Sequence, residues 1–498
     1  MAGKKSLKIL FVTSEVIPFM KTGGLADVSA ALPQRLLQHG HQVRILAPKY
    51  GAIDERKHKI HEVVRLQDLT TKIGKKEVTF SIRSSFLPGQ KHRVQVYFLD
   101  EPNYFASRHS LYTDPLSGKD FSDNDERFIL LAKSVFELIK QLGWYPDIIH
   151  CNDWQSGLIP AYLKTVYKDD EDIQNIKTLF TIHNIAYQGA FGKSTCKKTG
   201  LPENVCTETK VLHKGKFNFL KAGIVYADTI NTVSQTYAKE IASDPKLSFG
   251  LMDVLKKRKS DLHGIVNGID MNIWNPEKDK LIPHKYSVKK LDKKKENRAA
   301  LAEKFNGEID DKTPIIGNIS RLYNTKGFDL LQKAFPKLMA MNIRLVILGT
   351  GDKKFHQFLE EMAFDHKDKF IFYPGFDDKL AHLIEAGSDI YLMPSKTEPC
   401  GLNQMYSMVY GTVPVVHATG GLIDTVQNFD EKTGEGTGFV FEKYNVTSLI
   451  GELKRAVSIF VEKPETWTKI MKNGMKRDFS WLNSAKNYIE LYNKIVQE

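Results

Sequence analysis

The sequence predicts an α/β protein built from two doubly wound domains facing each other across a cleft. Three observations carry that reading. Short apolar runs alternate with helical periods along most of the 498 residues, the pattern of parallel strands joined by helical crossovers. The alternation stops in a connector rich in Lys, Pro and Asn, 256–297, and then restarts. The segment Thr22-Gly23-Gly24-Leu25-Ala26-Asp27 also has a counterpart in Thr419-Gly420-Gly421-Leu422-Ile423-Asp424, one in each half. A chain of this length exceeds one ordinary core, and two domains of about 200–250 residues are expected.

In the first half, residues 8–13, 43–48, 147–151, 177–182 and 229–233 predict buried strands. Residues 26–38, 126–141 and 155–166 predict helices between them. In the second half the strands are 315–320, 344–348, 370–373, 390–393 and 413–416, each followed by a helical stretch. The boundaries expected are 1–266 for the first domain, 267–479 for the second, and 480–498 for a terminal helix. That last segment places Trp481, Leu482, Tyr488, Ile489, Leu491 and Ile495 at helical spacing. By periodicity alone it either caps the second domain or returns to the first.

Hydrophobic residues make up 42% and charged residues 26% of the chain, ordinary globular usage. No apolar run approaches the roughly 18 residues of a membrane span. The start is basic and then briefly apolar, but the apolar stretch ends at Val12 and is followed by Thr13, Ser14 and Glu15. That is too short for a signal-peptide core and fits a first buried strand. The four cysteines, Cys151, Cys196, Cys206 and Cys400, are scattered. They predict neither a disulfide framework nor a zinc site, and a reducing, cytoplasmic setting. The net charge is +12, with much of the excess in Lys289, Lys290, Lys293, Lys294 and Lys295. A run of this kind is expected to be a solvated face. Only Tyr286 interleaves with it, and no nucleic-acid module is visible.

The residues that can do chemistry gather at strand ends, where α/β sheets place ligands. Paired glycines opening a helix let an anion approach unpaired N–H groups at the positive end of the helix dipole. Tight packing is the competing explanation, and repetition in both halves favours a bound phosphate or sugar. Charge building on a phosphate group must be met by cations and N–H donors, or by a metal. The acid pairs Asp123/Asp125 and Asp170/Asp172 are the candidate metal ligands, but they fit a helix start and an acidic loop better. Arg321 and Lys326, after strand 315–320 and before Gly327, are the stronger electrostatic device. Lys21 stands two residues before the first glycine pair. Glu398 follows an apolar strand in Pro394-Ser395-Lys396-Thr397-Glu398-Pro399-Cys400-Gly401-Leu402, where a carboxylate can accept from sugar hydroxyls or simply cap a helix. Cys400 has no neighbouring His to favour its thiolate and is expected to be packing. Asp153 and His183 each follow a strand end.

Taken together, these segments resemble the bacterial glycogen synthases and plant starch synthases. The resemblance rests on Lys21-Thr22-Gly23-Gly24-Leu25-Ala26-Asp27-Val28, Asp153-Trp154, Thr181-Ile182-His183-Asn184, Asn267-Gly268-Ile269-Asp270 with Trp274-Asn275-Pro276, Ser320-Arg321-Leu322 with Lys326-Gly327, and Glu398-Pro399-Cys400-Gly401-Leu402. It runs through essentially the whole chain in order. It implies a GT-B fold of two Rossmann-like domains, with the terminal helix returning to the first. It implies retaining transfer of glucose from ADP-glucose to the non-reducing 4-hydroxyl of an α-1,4-glucan such as glycogen, without metal or other cofactor. Lys21, Gly23 and Gly24 would contact the ADP moiety, and Arg321 and Lys326 the diphosphate. Glu398 and His183 would lie near the transferred glucose, and Asp153 near the reacting centre or acceptor. Cys400, Gly401, Leu402, Thr419, Gly420 and Gly421 would complete the donor site. No nucleic-acid or membrane partner is implied, and the oligomeric state is left open.

Three features depart from the family pattern. Tyr406 stands where the wider retaining class has a second glutamate, Lys396-Thr397 replaces the usual Arg-Phe, and 193–198 is more basic than expected. A UDP-glucose-preferring synthase, a sugar-nucleotide epimerase of the same fold, a glucan phosphorylase and an inactive glucan-binding protein are the rival readings. The paired Lys21 and Glu398 motifs disfavour the epimerase, and no region resembles a phosphorylase's pyridoxal phosphate site.

Overall fold

The computed structural model describes residues 6–88, 93–305 and 310–497; the basic residues 1–5 lie outside them. The chain divides into two compact units. The first comprises residues 1–233, 238–265 and 481–498, and the second 234–237 and 266–480.

The first unit is organised by one large sheet. Its parallel part runs Leu262–Gly264, Thr229–Thr232, Lys177–Ile182, Ile148–Asn152, Lys8–Val12, Gln42–Pro48, Gln95–Asp100. The chain enters at the centre, builds outward on one side, then returns to the other side of its first strand. The switch in direction therefore falls between Lys8–Val12 and Ile148–Asn152, where an open α/β sheet offers a crevice at its carboxyl edge. Ile9, Leu10, Phe11 and Val12 are fully buried, as a strand covered on both faces requires. Helix Asn124–Leu142 turns a buried stripe, Phe128, Leu131, Val135 and Ile139, onto the sheet and stops at Gly143 in the left-handed conformation.

The sheet also has an antiparallel edge that the sequence reading missed. Lys76–Phe86 pairs with Gln95–Asp100, Leu69–Ile73 and His61–Glu62. Its signal is local in the sequence: Val78, Phe80 and Ile82 alternate with Thr79, Ser81 and Arg83, and the apolar set is the buried one; Gly74, at φ 61°, makes the turn from Leu69–Ile73.

Helix Trp481–Gln497 belongs to the first unit. Buried Tyr492 bonds His150 Nδ1 at 2.7 Å, and Asn231 Nδ2 donates to the hydroxyl of buried Tyr488 at 3.2 Å. The helix thereby satisfies polar groups on two central strands.

The second unit holds a wholly parallel sheet in the order Phe370–Pro374, Arg344–Gly349, Ile315–Ile319, Ile390–Met393, Val413–His417, Phe439–Phe441. Its switch lies between Ile315–Ile319 and Ile390–Met393. Apolar faces of Phe328–Met339 and Val446–Glu462 cover one side, with Trp467 and Ile470 in the same core.

Two expectations are corrected. Cys196 and Cys206 form a disulfide with Cα atoms 6.1 Å apart. Helix Thr195–Thr199 and the left-handed Gly200 turn the chain back on itself, a proximity that a ten-residue spacing does not reveal. The basic run is also not uniformly solvated. Lys285, Lys289, Lys290, Lys293 and Lys295 are exposed, but Lys294 is buried, donating to the Ala386 carbonyl at 2.6 Å and Thr412 Oγ1 at 2.8 Å. Burial lowers the Lys294 ammonium pKa to about 7. The unusual basic segment 193–198 is structural too, with Lys198 bridging Asp125 and Glu126 at 2.8 Å each.

Candidate active site

Each unit gathers its sequence-predicted residues at its own switch point. In the first unit, Asp153 follows strand Ile148–Asn152 and His183 follows Lys177–Ile182. Asp153 has φ 54° and ψ −177°, a region used almost solely by glycine, where a non-glycine residue stores about 1–3 kcal/mol of strain. Its carboxylate accepts the His183 N–H at 2.7 Å and, more weakly, that of Asn184 at 3.4 Å. Burial, opposed by these bonds, raises its pKa to about 7. His183 is held neutral, with its pKa pushed down by burial to about 3. Its Nε2 meets Asn152 Oδ1 at 2.9 Å, while Asn152 Nδ2 donates to the carbonyls of Val12 and His150. That orientation assigns the proton to Nε2 and leaves Nδ1 as an acceptor suited to a hydroxyl.

Lys21 is exposed and pairs with Asp27 at 2.8 Å. The first glycine pair opens the 15-residue helix Gly24–Gln38. A Cβ added at Gly23 would meet nothing within 4 Å, and its φ of −153° suits any residue. Neither packing nor conformation therefore requires glycine there. The second pair differs. Gly420 sits at φ 46°, and a Cβ at Gly421 would lie 2.3 Å from the Cys400 carbonyl oxygen. Thr419-Gly420-Gly421 opens only the five-residue helix Gly421–Thr425. The two echoes are thus unequal, and tight packing explains the second.

In the second unit, Arg321 lies exposed just beyond Ile315–Ile319. Lys326 closes a single helical turn against the next strand's end. Gly327, at φ 83°, permits this, because a Cβ there would fall 1.9 Å from the Pro394 carbonyl. The close approach brings Lys326 Nζ to both oxygens of buried Glu398, at 2.9 and 2.6 Å. Ser395 Oγ donates to the same carboxylate at 3.0 Å, and the Gly421 N–H donates to the Glu398 backbone carbonyl at 3.0 Å. The Glu398 carboxylate is therefore not a helix cap. Cys400 is buried with its thiol pKa pushed up to about 12, so it is not a nucleophile. Gly401 is left-handed at φ 75°, and Leu402 precedes helix Asn403–Val409. Tyr406 stacks on Trp274, centroids 4.0 Å apart.

The acid pairs are engaged by other groups. Asp123 forms a bidentate bridge to Arg108 at 2.6 Å, Asp125 bonds Thr195 and Lys198, and Asp170 pairs with Lys140. Among the described residues no group of three or more His, Cys, Asp or Glu could hold a metal.

Residues 8–257 match the family model described as starch synthase catalytic domain, and 300–477 match glycosyl transferases group 1. A glycogen synthase of Koribacter versatilis is 42% identical over 495 residues, 99% of each chain. One of Thermotoga maritima is 42% identical over 492 residues, covering 98% of this chain and 99% of its own. The chain belongs to the glycogen and starch synthase family. The catalytic domain of Arabidopsis thaliana starch synthase IV, solved with ADP and acarbose, superposes with a TM-score of 0.89 at 29% identity, covering 99% of this chain and all of that one. A sucrose-phosphate synthase from Thermosynechococcus elongatus shares the fold alone, at TM-score 0.60 and 18% identity. The glycogen and starch synthase family is a family of glycosyltransferases, and this chain is an enzyme of that class, with the α/β architecture its sequence predicts.

Sequence reasoning missed two residues that hold site side chains: Asn152, against His183, and Ser395, against Glu398. Asn152 ends a strand, a position that could have nominated it. Nothing local separates Ser395 from other turn serines.

Proposed function

We propose that this chain extends an α-1,4-glucan by retaining transfer of glucose from ADP-glucose, releasing ADP. The observation that carries the reading is the Lys326–Glu398 pair at the second unit's switch point, with the exposed Arg321 beside the same crevice. Arg321 and Lys326 supply positive charge for the departing diphosphate. Glu398 faces the glucose, neutral His183 accepts from one of its hydroxyls, and Asp153 serves the reacting centre or acceptor. Lys21, Gly23 and Gly24 receive the ADP moiety, with Cys400, Gly401, Leu402, Thr419, Gly420 and Gly421 shaping the donor site in the second unit. No metal is assigned a role. No helix among the described residues is long and apolar enough to cross a membrane, and from the family resemblance we place the enzyme in the cytoplasm. The test is a donor panel with glycogen as acceptor, run with and without EDTA. Glycogen-dependent ADP release from ADP-glucose, insensitive to EDTA, is expected. Preference for UDP-glucose, or a magnesium requirement, would overturn the corresponding assignment.

The glycines give a sharper expectation. Gly23→Ala should fold with an unchanged melting temperature, because its Cβ enters open space, yet raise the Michaelis constant for ADP-glucose. Gly421→Ala should instead lose stability, by about 1–3 kcal/mol for overpacking. Thermal melts and donor titrations on both variants separate a ligand-facing glycine from a packing one.

Asp153 gives a pH expectation. Its pKa is raised on folding, so its favourable contribution is complete below the ordinary aspartate range and is lost as pH rises through about 7. Asp153→Asn keeps an acceptor for the His183 N–H and, being nearly isosteric, carries the same backbone strain as the aspartate it replaces. Its melting temperature should exceed wild type at pH 8, and the gain should shrink towards pH 5. A gain independent of pH would mean that the carboxylate is not the destabilising group.

A further inference from the structure

Glu15 lies three residues beyond strand Lys8–Val12, at the first unit's switch point, and is 5% exposed. The chain leaves it, makes reciprocal backbone bonds between Val16 and Met20, and returns so that Thr22 and Gly23 meet its carboxylate. Oε2 accepts the N–H groups of Thr22 at 2.6 Å and Gly23 at 3.1 Å. Oε1 accepts the hydroxyls of Thr22 at 2.6 Å and Tyr112 at 2.7 Å. Tyr112 also bonds Ser14 at 2.8 Å. Its loop is fastened by fully buried Arg127, which donates to the Leu111 carbonyl at 2.7 Å.

One carboxylate thus ties a strand end, the glycine turn and a distant loop together. A buried acid needs such partners, and four donors on two oxygens meet that need. A negative charge beside a diphosphate would repel it, so Glu15 is not placed to bind the donor. Its bonds fall on Thr22 and Gly23, the residues between Lys21 and the first turn of helix Gly24–Gln38. They fix a turn whose glycine no packing contact requires.

We propose that Glu15 is a positioning residue for the donor, holding the Thr22–Gly23 turn in the shape that receives the diphosphate. The proposal rests on the donor-site reading above. It concerns geometry rather than charge. Glutamine can reproduce the clamp: its oxygen accepts both N–H groups, while the hydroxyls of Thr22 and Tyr112 rotate to accept from its amide.

The test is calorimetric titration of the full chain with ADP, paired with donor and glycogen kinetics. Glu15→Ala should weaken ADP binding and raise the Michaelis constant for ADP-glucose by about tenfold or more, the scale of one to two lost hydrogen bonds, leaving half-saturating glycogen unchanged. Glu15→Gln should recover both values to within about threefold. Should Glu15→Ala fail to fold, Thr22→Val removes one contact from an exposed residue and should weaken ADP about threefold. Wild-type affinity in Glu15→Ala, or in Thr22→Val where the alanine variant does not fold, would overturn the proposal. So would equal impairment of the alanine and glutamine variants. Failure of the donor reading would show separately, as wild-type protein that binds no ADP, and would withdraw the Glu15 role with it.

Discussion

Glu398→Gln is expected to lower turnover by roughly 10²-fold or more, about 3 kcal/mol of transition-state stabilisation, while the protein stays folded. The near-isosteric change keeps an acceptor for Ser395 Oγ and leaves the backbone bond from Gly421 untouched. It removes the charge that balances Lys326. Two consequences follow from that pairing. Positive charge on the transferred sugar, which grows as its bond to the diphosphate lengthens, loses its carboxylate. The Lys326 ammonium is left without its counter-ion, though at 24% exposure it can reach water, so the stability loss should be small. Turnover with glycogen, read beside circular dichroism, is the measurement. Wild-type rates would reduce Glu398 to an internal ion-pair partner.

Arg321 and Lys326 should behave as one unit. Arg321→Ala removes a planar fork able to hold two phosphate oxygens, and Lys326→Ala removes a point charge. Both should depress turnover more than they weaken ADP-glucose binding, because charge on the leaving group grows towards the transition state. The double variant should be less impaired than the product of the single losses. Arg321→Lys should recover only part of the loss. The Lys326–Glu398 bond adds a second expectation. Lys326→Ala also strips a buried carboxylate of its cation, so it should destabilise the fold more than Arg321→Ala does, Arg321 being exposed. Single variants with normal turnover and raised Michaelis constants alone would withdraw the leaving-group role.

The sequence by itself determined the central strands of both units and the strand-end positions of Asp153, His183, Arg321 and Glu398, but not the parallel strands Gln95–Asp100, Leu262–Gly264 and Phe439–Phe441. Those features follow from local periodicity: an apolar run covered on both faces needs no distant partner to be recognised. The antiparallel edge around Lys76–Phe86 carries an equally local signal, Val78, Phe80 and Ile82 alternating with polar residues. The tertiary structure alone decided what depends on residues far apart in the chain. It brought Lys326 to Glu398, 72 positions away, through a turn that only Gly327 permits. It tied Glu15 to Tyr112 across 97 positions, buried Lys294 within a run of exposed lysines, and joined Cys196 to Cys206. It also separated two glycine pairs that look alike as letters. Gly421 presses on the Cys400 carbonyl, while the space beside Gly23 is open. Side-chain chemistry is written in the sequence, but its partners, burial and charge balance are set by which segments the fold brings within a few ångströms.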